Sequence, residues 1–234
     1  MPIDLIGLDA DDTLWHNETI FRSTQSRFAE ILGTYAPLQH IEAELERVER
    51  KNLALYGYGA KGFTLSMLET ALDLTNGALP GSAVSEILSL GRAMMSHPVE
   101  PLPGVAEAVE RLAEVGRLVL ITKGDLFHQE AKLAASGLGS WFSGVEIVSE
   151  KTPETYRRIF DRYGVEATEV VMAGNSVRSD ILPVLEAGAY AALIPYPVVW
   201  SHEAAEAPRA HPRFREFESL ADLPAWITGL QKAG

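Results

Sequence analysis

Short apolar runs separated by helix-length segments govern the second half of this chain. Leu118-Val119-Leu120-Ile121, Val145-Glu146-Ile147-Val148, Glu169-Val170-Val171-Met172-Ala173 and the stretch from Ala189 to Ile194 are strand-length and rich in aliphatic residues. Helical patterns lie between them, from Leu126 to Ser136, from Pro153 to Tyr163 and from Asp180 to Ala187, with another from Gly104 to Val115 ahead of the first run. Continuous apolar strands need cover on both faces, and a parallel neighbour is reached only by a crossover, usually a helix. The pattern therefore predicts an α/β fold with a doubly wound, Rossmann-like parallel sheet. Ligands of such sheets gather outside the carboxyl ends of the strands, where loops and helix N-termini converge.

An earlier apolar run, Ile3-Asp4-Leu5-Ile6-Gly7-Leu8, ends in Asp9-Ala10-Asp11-Asp12-Thr13. Alternation along an extended chain sends Asp9 and Asp11 to the same side, where two carboxylates about 5 Å apart repel by roughly 3 kcal/mol at an effective dielectric near 20. A hard cation with oxygen ligands resolves that repulsion, against the plainer reading of an acidic solvated turn. Asp12 is read as structural, because Asp tolerates left-handed backbone geometry.

Beyond Leu14 the periodicity becomes helical, with Phe21, Phe28, Ile31 and Leu32 and later Ile41, Leu45, Val48 and Leu53 at helical spacing. The block contains no convincing strand and runs to about Met95. It is broken by Tyr56-Gly57-Tyr58-Gly59-Ala60-Lys61-Gly62, Asn76-Gly77 and Pro80-Gly81. Residues 17–96 are accordingly expected to form a helical insert between the core segments 1–16 and 97–234. The glycine-rich stretch is too irregular for a dinucleotide fingerprint and follows no strand, so it reads as a mobile loop. The prolines at 195, 197, 208, 212 and 224 predict an irregular tail with a last short strand near Phe214 to Phe217.

A formal net charge of -12 disfavours nucleic acid or an anionic membrane as partner. With no cysteine in the chain, any metal site is left with oxygen and nitrogen ligands. No basic leader or bilayer-length apolar run is recognised, so a cytoplasmic setting is expected.

Read together, the loops after successive strands offer Asp9, Asp11 and Thr13, then Thr122-Lys123-Gly124-Asp125, then Lys151, then Gly174-Asn175-Ser176 with Ser179-Asp180. A carboxylate nucleophile, a second carboxylate to move a proton, a hydroxyl and an ammonium for anionic oxygens, and a distant carboxylate are the parts phosphoryl transfer requires. In these segments the chain resembles the haloacid dehalogenase-like hydrolase superfamily. Asp9-Ala10-Asp11-Asp12-Thr13-Leu14 is similar to its first motif and Ile121-Thr122-Lys123-Gly124-Asp125 to its second. Lys151-Thr152-Pro153-Glu154-Thr155-Tyr156 is similar to the third and Ala173-Gly174-Asn175-Ser176 through Asp180 to the fourth. Pro101-Leu102-Pro103-Gly104-Val105 looks like the family's return from a helical cap.

The resemblance implies an Mg²⁺-dependent phosphatase acting on a small phosphorylated metabolite, as a monomer or homodimer. Asp9 would attack phosphorus and become an aspartyl phosphate, and Asp11 would protonate the leaving alcohol and then activate water. Thr13 would support that loop, and Thr122 and Lys151 would neutralise the phosphoryl oxygens. Asp9, the main-chain carbonyl of Asp11, and Asp180 would hold Mg²⁺. Asn175 stands where many relatives carry an acid; it either lowers metal affinity or orients Lys151 or a metal-bound water, and the second role is expected. Lys123, beside Thr122, is a substrate-side candidate, as are Tyr58 and Lys61 in the insert. The rival readings are metal-free carbon-halogen hydrolysis by a 2-haloacid dehalogenase-type enzyme and a non-catalytic binding protein on the same fold.

Overall fold

A computed structural model describes residues 2–198, 200, 203 and 205–233. Strand β1 (Leu5–Leu8) is followed by helices α1 (Glu18–Leu32), α2 (Leu38–Tyr56), α3 (Ala60–Leu74), α4 (Gly81–Met95) and α5 (Val105–Ala113). The chain then alternates through β2 (Arg117–Lys123), α6 (Leu126–Ser136), β3 (Phe142–Val148), α7 (Pro153–Tyr163), β4 (Val170–Gly174), α8 (Leu182–Glu186) and β5 (Tyr190–Leu193). It closes with β6 (Phe214–Glu216) and α9 (Leu223–Ala233). The strands form one sheet of order β3-β2-β1-β4-β5-β6, and every neighbouring pair in it is parallel. This is the α/β, Rossmann-like architecture that the alternating pattern predicts. The order turns at β1, which has β2 on one side and β4 on the other, so the crevice at its carboxyl end is the expected ligand position.

Strand alternation divides the core into two layers. Ile6, Leu8, Leu118, Leu120, Val171 and Ala173 face one way, against Val105, Val109 and Leu112 of α5 and Leu223 and Ile227 of α9. Leu5, Val119, Ile121, Val170 and Met172 face the other way, against Tyr156, Ile159 and Phe160 of α7 and Val184 of α8. Gly7 lies in this second layer by parity. A Cβ there would stand 2.8 Å from Met172 Sδ and 2.9 Å from Ile121 Cδ1, so the layer closes only because residue 7 has no side chain.

Two elements differ from the sequence reading. The expected helix from Asp180 to Ala187 begins as a π-helical turn over Val177–Ile181 and becomes α-helical only from Leu182. The tail is not simply irregular, because α9 follows β6. Its Leu223, Ile227 and Leu230 recur at helical spacing and pack on the sheet, a period masked in sequence by Pro224, which sits harmlessly in the first helical turn.

The chain separates into two compact units, one of residues 1–18, 99–123 and 129–234, the other of residues 19–98 and 124–128. The second unit is helical and has its own core of Phe28, Leu32, Ile41, Leu45, Phe63, Met67, Ile87 and Met94. Its α2–α3 connection holds Gly57 at φ 70° and Gly59 at φ 109°, values that favour glycine. Within this unit the Lys61 ammonium lies 2.9 Å from both carboxylate oxygens of Asp125 and 5.7 Å from the centre of the Phe127 ring. Among the described residues no helix is long and apolar enough to cross a membrane.

Gly7→Ala should lower unfolding free energy by about 1–3 kcal/mol through overpacking against Met172 and Ile121. Urea unfolding that gives the same midpoint as wild type would show that the layer has slack.

Candidate active site

Four parallel strands deliver polar residues from their carboxyl ends. Asp9 follows β1, Thr122 is near the end of β2, Lys151 lies between β3 and α7, and Asp180 sits in the turn after β4. All four are buried. Lys151 stands at the centre of the charged set, with Nζ 2.5 Å from Asp9 Oδ1 and 2.6 Å from Asp180 Oδ1. Local sequence explains its placement: Thr152 caps α7 by accepting from Thr155 N at 3.2 Å, and Pro153 occupies the first turn.

Asp180 is fully buried and fully engaged, since its second oxygen accepts from Ser176 N at 3.0 Å. That carboxylate folds back over Gly174, where a Cβ would come within 2.2 Å of Asp180 Oδ2. Gly174 is thus required by close approach rather than by backbone angle. Burial alone would lower the Lys151 pKa, but the two carboxylates outweigh it and raise it well above the ordinary lysine value. Asp9 is pushed up to about 7, chiefly by burial; Lys151 opposes the shift and the charge of Asp180 adds to it.

Asp11 occupies a separate polar nest. Its Oδ1 accepts from Trp15 Nε1 at 2.7 Å and from Lys132 Nζ at 2.5 Å, and its Oδ2 accepts from Gln129 Nε2 at 3.0 Å. Burial would raise its pKa, but the Lys132 charge and these three hydrogen bonds hold it below the usual carboxylate range. Asp12 has φ 61° and uses its carboxylate on the main-chain N–H groups of Asn17 and Glu18, which fixes the entry to α1. Its role is structural.

Thr13 Oγ1 lies 3.3 Å from Asp9 Oδ2 and 3.3 Å from the Asn175 side-chain oxygen. In its satisfied orientation the Asn175 side-chain nitrogen donates to Asp11 O and Asp9 Oδ2, both at 3.2 Å, and to Thr13 Oγ1 at 3.3 Å. Asp9 Oδ2, the Asp11 main-chain oxygen and, with the amide turned, the Asn175 oxygen are a donor set of the kind Mg²⁺ takes, and Asn175 lies nearer that set than the sequence reading put it. Among the described residues no three His, Cys, Asp or Glu side chains converge as a metal cluster, so such a site draws on a main-chain carbonyl and an amide.

The remaining candidates are spread more widely. Lys123 donates to Ser179 Oγ at 2.9 Å and to Glu203, and Glu203 also receives Ser176 Oγ and, at 2.6 Å, Ser179 Oγ. Tyr58 and Lys61 belong to the helical unit, where Lys61 is paired with Asp125. Several residues of the assembled site were not singled out from sequence. Gln129 and Lys132 are three apart on α6, a spacing that puts them on one helix face. Tyr156 donates its hydroxyl to Ser179 O at 3.0 Å, and Glu203 comes from the proline-rich tail.

A family model described as haloacid dehalogenase-like hydrolase matches residues 3–188 of the chain. The chain is similar to a haloacid dehalogenase-like family hydrolase from Xanthomonas campestris, with a TM-score of 0.88 and 43% identity over 99% of this chain and 93% of that one. A 2-haloacid dehalogenase from Pseudomonas syringae pv. Tomato shares the fold, with a TM-score of 0.66 and 20% identity over 97% of this chain and 98% of the other. The chain is also 27% identical to N-acylneuraminate-9-phosphatase of Mus musculus over 49% of this chain and 46% of the mouse protein, about half the length of that relative.

Replacing Lys151 by Met would leave Asp9 and Asp180 buried with no cation between them, at a cost of about 3–5 kcal/mol near pH 8. The lost cation raises the Asp9 pKa further. A carboxyl group whose folded pKa exceeds its unfolded value loses stability as pH rises through the folded one, so the deficit should shrink at pH 5.5. Urea unfolding at both pH values checks this, and equal deficits would contradict it.

Proposed function

From the premise that this chain belongs to the haloacid dehalogenase-like hydrolase family, and is therefore a hydrolase, we propose that it is an Mg²⁺-dependent phosphatase of small phosphomonoesters. The observation that carries this reading is the second carboxylate, Asp11, two residues beyond Asp9 and held by three donors. Hydrolysis of a phosphomonoester by way of a covalent intermediate needs a nucleophile and a separate group that moves protons. Similarity to a mouse phosphatase over half its length points the same way.

In this reading Asp9 attacks phosphorus and the P–O bond to the leaving alcohol breaks, giving an aspartyl phosphate and an alkoxide that takes a proton from Asp11. The Asp11 carboxylate so formed removes a proton from water as the water attacks the phosphoryl group, which restores Asp9 and releases phosphate. The nest of Trp15, Gln129 and Lys132 favours the carboxylate form used in this second half, and the proton given up in the first half must be taken on as the substrate binds and is recovered from the attacking water. Thr122 and Lys151 hold phosphoryl oxygens, where charge stabilisation counts most. Asp9, the Asp11 carbonyl and the Asn175 amide oxygen would hold Mg²⁺, which supplies charge neutralisation for the transferring group. Asp180 then acts by holding Lys151. Tyr58, Lys61 and Lys123 remain candidates for substrate selection.

One observation favours the rival carbon-halogen hydrolysis: Lys151 already sets a positive charge against Asp9 at 2.5 Å. Turnover of 2-chloropropionate that survives a chelator, with no phosphomonoester hydrolysed, would establish that reading instead.

Asp9→Asn should abolish hydrolysis of p-nitrophenyl phosphate and leave the circular dichroism spectrum unchanged; retained turnover would refute the nucleophile. Asp9 must be ionised to attack, and a bound cation favours that form. The acid limb of kcat/KM, set by a carboxyl group near 7 in the metal-free protein, should therefore move to lower pH as Mg²⁺ is raised. A limb that stays in place would count against a cation at Asp9.

A further inference from the structure

Gln129 is buried in the polar layer beneath the site, and its side-chain nitrogen faces three acceptors at once. Nε2 lies 3.0 Å from Asp11 Oδ2, 3.0 Å from Thr122 Oγ1 and 2.6 Å from the main-chain oxygen of Lys123. Its own Oε1 is buried and has no hydrogen-bond partner among the described residues. The reverse amide orientation would aim a carbonyl oxygen at the Asp11 carboxylate and the Lys123 carbonyl, so the donor orientation is enforced. A residue kept only for stability would not be expected to strand a buried acceptor.

We propose that Gln129 is a positioning residue for phosphoryl transfer, one that turns the Thr122 hydroxyl into a hydrogen-bond donor toward the substrate and locks the Asp11 carboxylate beside it. This rests on the phosphatase reading. The Thr122 hydroxyl has one proton. Its nearest internal acceptor is the Lys123 carbonyl, 3.2 Å away. Gln129 already donates to that carbonyl, so the Thr122 proton can turn to a phosphoryl oxygen without leaving the carbonyl unpaired. The amide has two N–H groups for three acceptors, so one is shared; Thr122 Oγ1, 3.0 Å from Nε2, is thereby approached from the donor side, which leaves its own proton free to point elsewhere.

The same amide ties Asp11 in place. Lys132, one helical turn further along α6, donates to Asp11 Oδ1 while Gln129 donates to Oδ2, so a single helix face fixes both carboxylate oxygens. The proton-moving group and the anion-binding hydroxyl thus share one rigid support, and pre-set geometry of this kind is what transition-state stabilisation requires. Neither Gln129 nor Lys132 is assigned a role by the four motifs.

The test uses the full chain with Gln129→Met, which removes both donors at similar volume, and Gln129→Glu, which keeps the shape and loses the donors. Steady-state hydrolysis of p-nitrophenyl phosphate with Mg²⁺, vanadate binding by calorimetry, and Tm are measured for each. Both variants should lose about 10- to 100-fold in kcat while KM changes by less than about threefold. Vanadate, which mimics the transferring group, should weaken by a similar factor. Gln129→Met removes the unpartnered Oε1 but also the donor to Asp11 Oδ2, so Tm should fall modestly while kcat and vanadate affinity fall by far more than that loss accounts for; a merely structural residue would lose activity in step with Tm. A kcat within twofold of wild type in both variants, or unchanged vanadate affinity beside a reduced kcat, would overturn the proposal. If wild type itself neither turns over a phosphomonoester nor binds vanadate, the phosphatase reading fails and takes the inference with it. An active wild type with unaffected variants removes the inference alone.

Discussion

A single buried ammonium organises this protein's chemistry. Lys151 lies 2.5 Å from Asp9 and 2.6 Å from Asp180, and it is the cation that both buried carboxyl groups face. The arrangement draws on three strand ends, so it forms only once β1, β3 and β4 are in register. Ion pairs of this kind are poor sources of net stability, because desolvation consumes most of the attraction. What the contact provides is placement: the Asp9 carboxyl group is held in position before any ligand arrives.

Around that contact the site divides into two layers with different electrostatic characters. The Asp9 side is deeply buried, and burial pushes its carboxyl group up. The Asp11 side is lined by donors, and Lys132, Trp15 and Gln129 hold its carboxyl group down. Two carboxyl groups two residues apart are thereby given opposite tendencies by their surroundings. Glycines make the layers compatible with a packed sheet. Gly174 leaves room for Asp180 to fold back, and Gly7 lets the second core layer close beneath β1.

Much of the site was legible because parallel sheets collect functional residues at strand ends, and strand ends can be found from apolar runs. Asp9, Thr122, Lys151 and Asp180 were found that way, and Lys151 joins Asp9 and Asp180 directly. The finer partnerships were hidden. Gln129 and Lys132 look in sequence like the solvated face of α6, and only the position of Asp11 against that face gives them work. Asn175 reads as a departure from an acidic motif, whereas its amide lies within hydrogen-bonding distance of both Asp9 and the Asp11 carbonyl. Glu203 arises in a stretch whose prolines suggested irregular connection, and the Lys61–Asp125 pair links residues 64 positions apart.

Sequence by itself determined the class of fold, the alternation of strands and helices from Gly104 to Ile194 and the candidate groups at the strand ends, because hydrophobic periodicity and turn chemistry are local properties. Tertiary structure decided which groups share a proton, which carboxylate answers to which lysine, and where an amide can serve a cation. Those outcomes depend on distances of about 3 Å between residues more than a hundred positions apart. No local pattern encodes such distances, since they are set by sheet register and by the way α6 and α7 pack upon it.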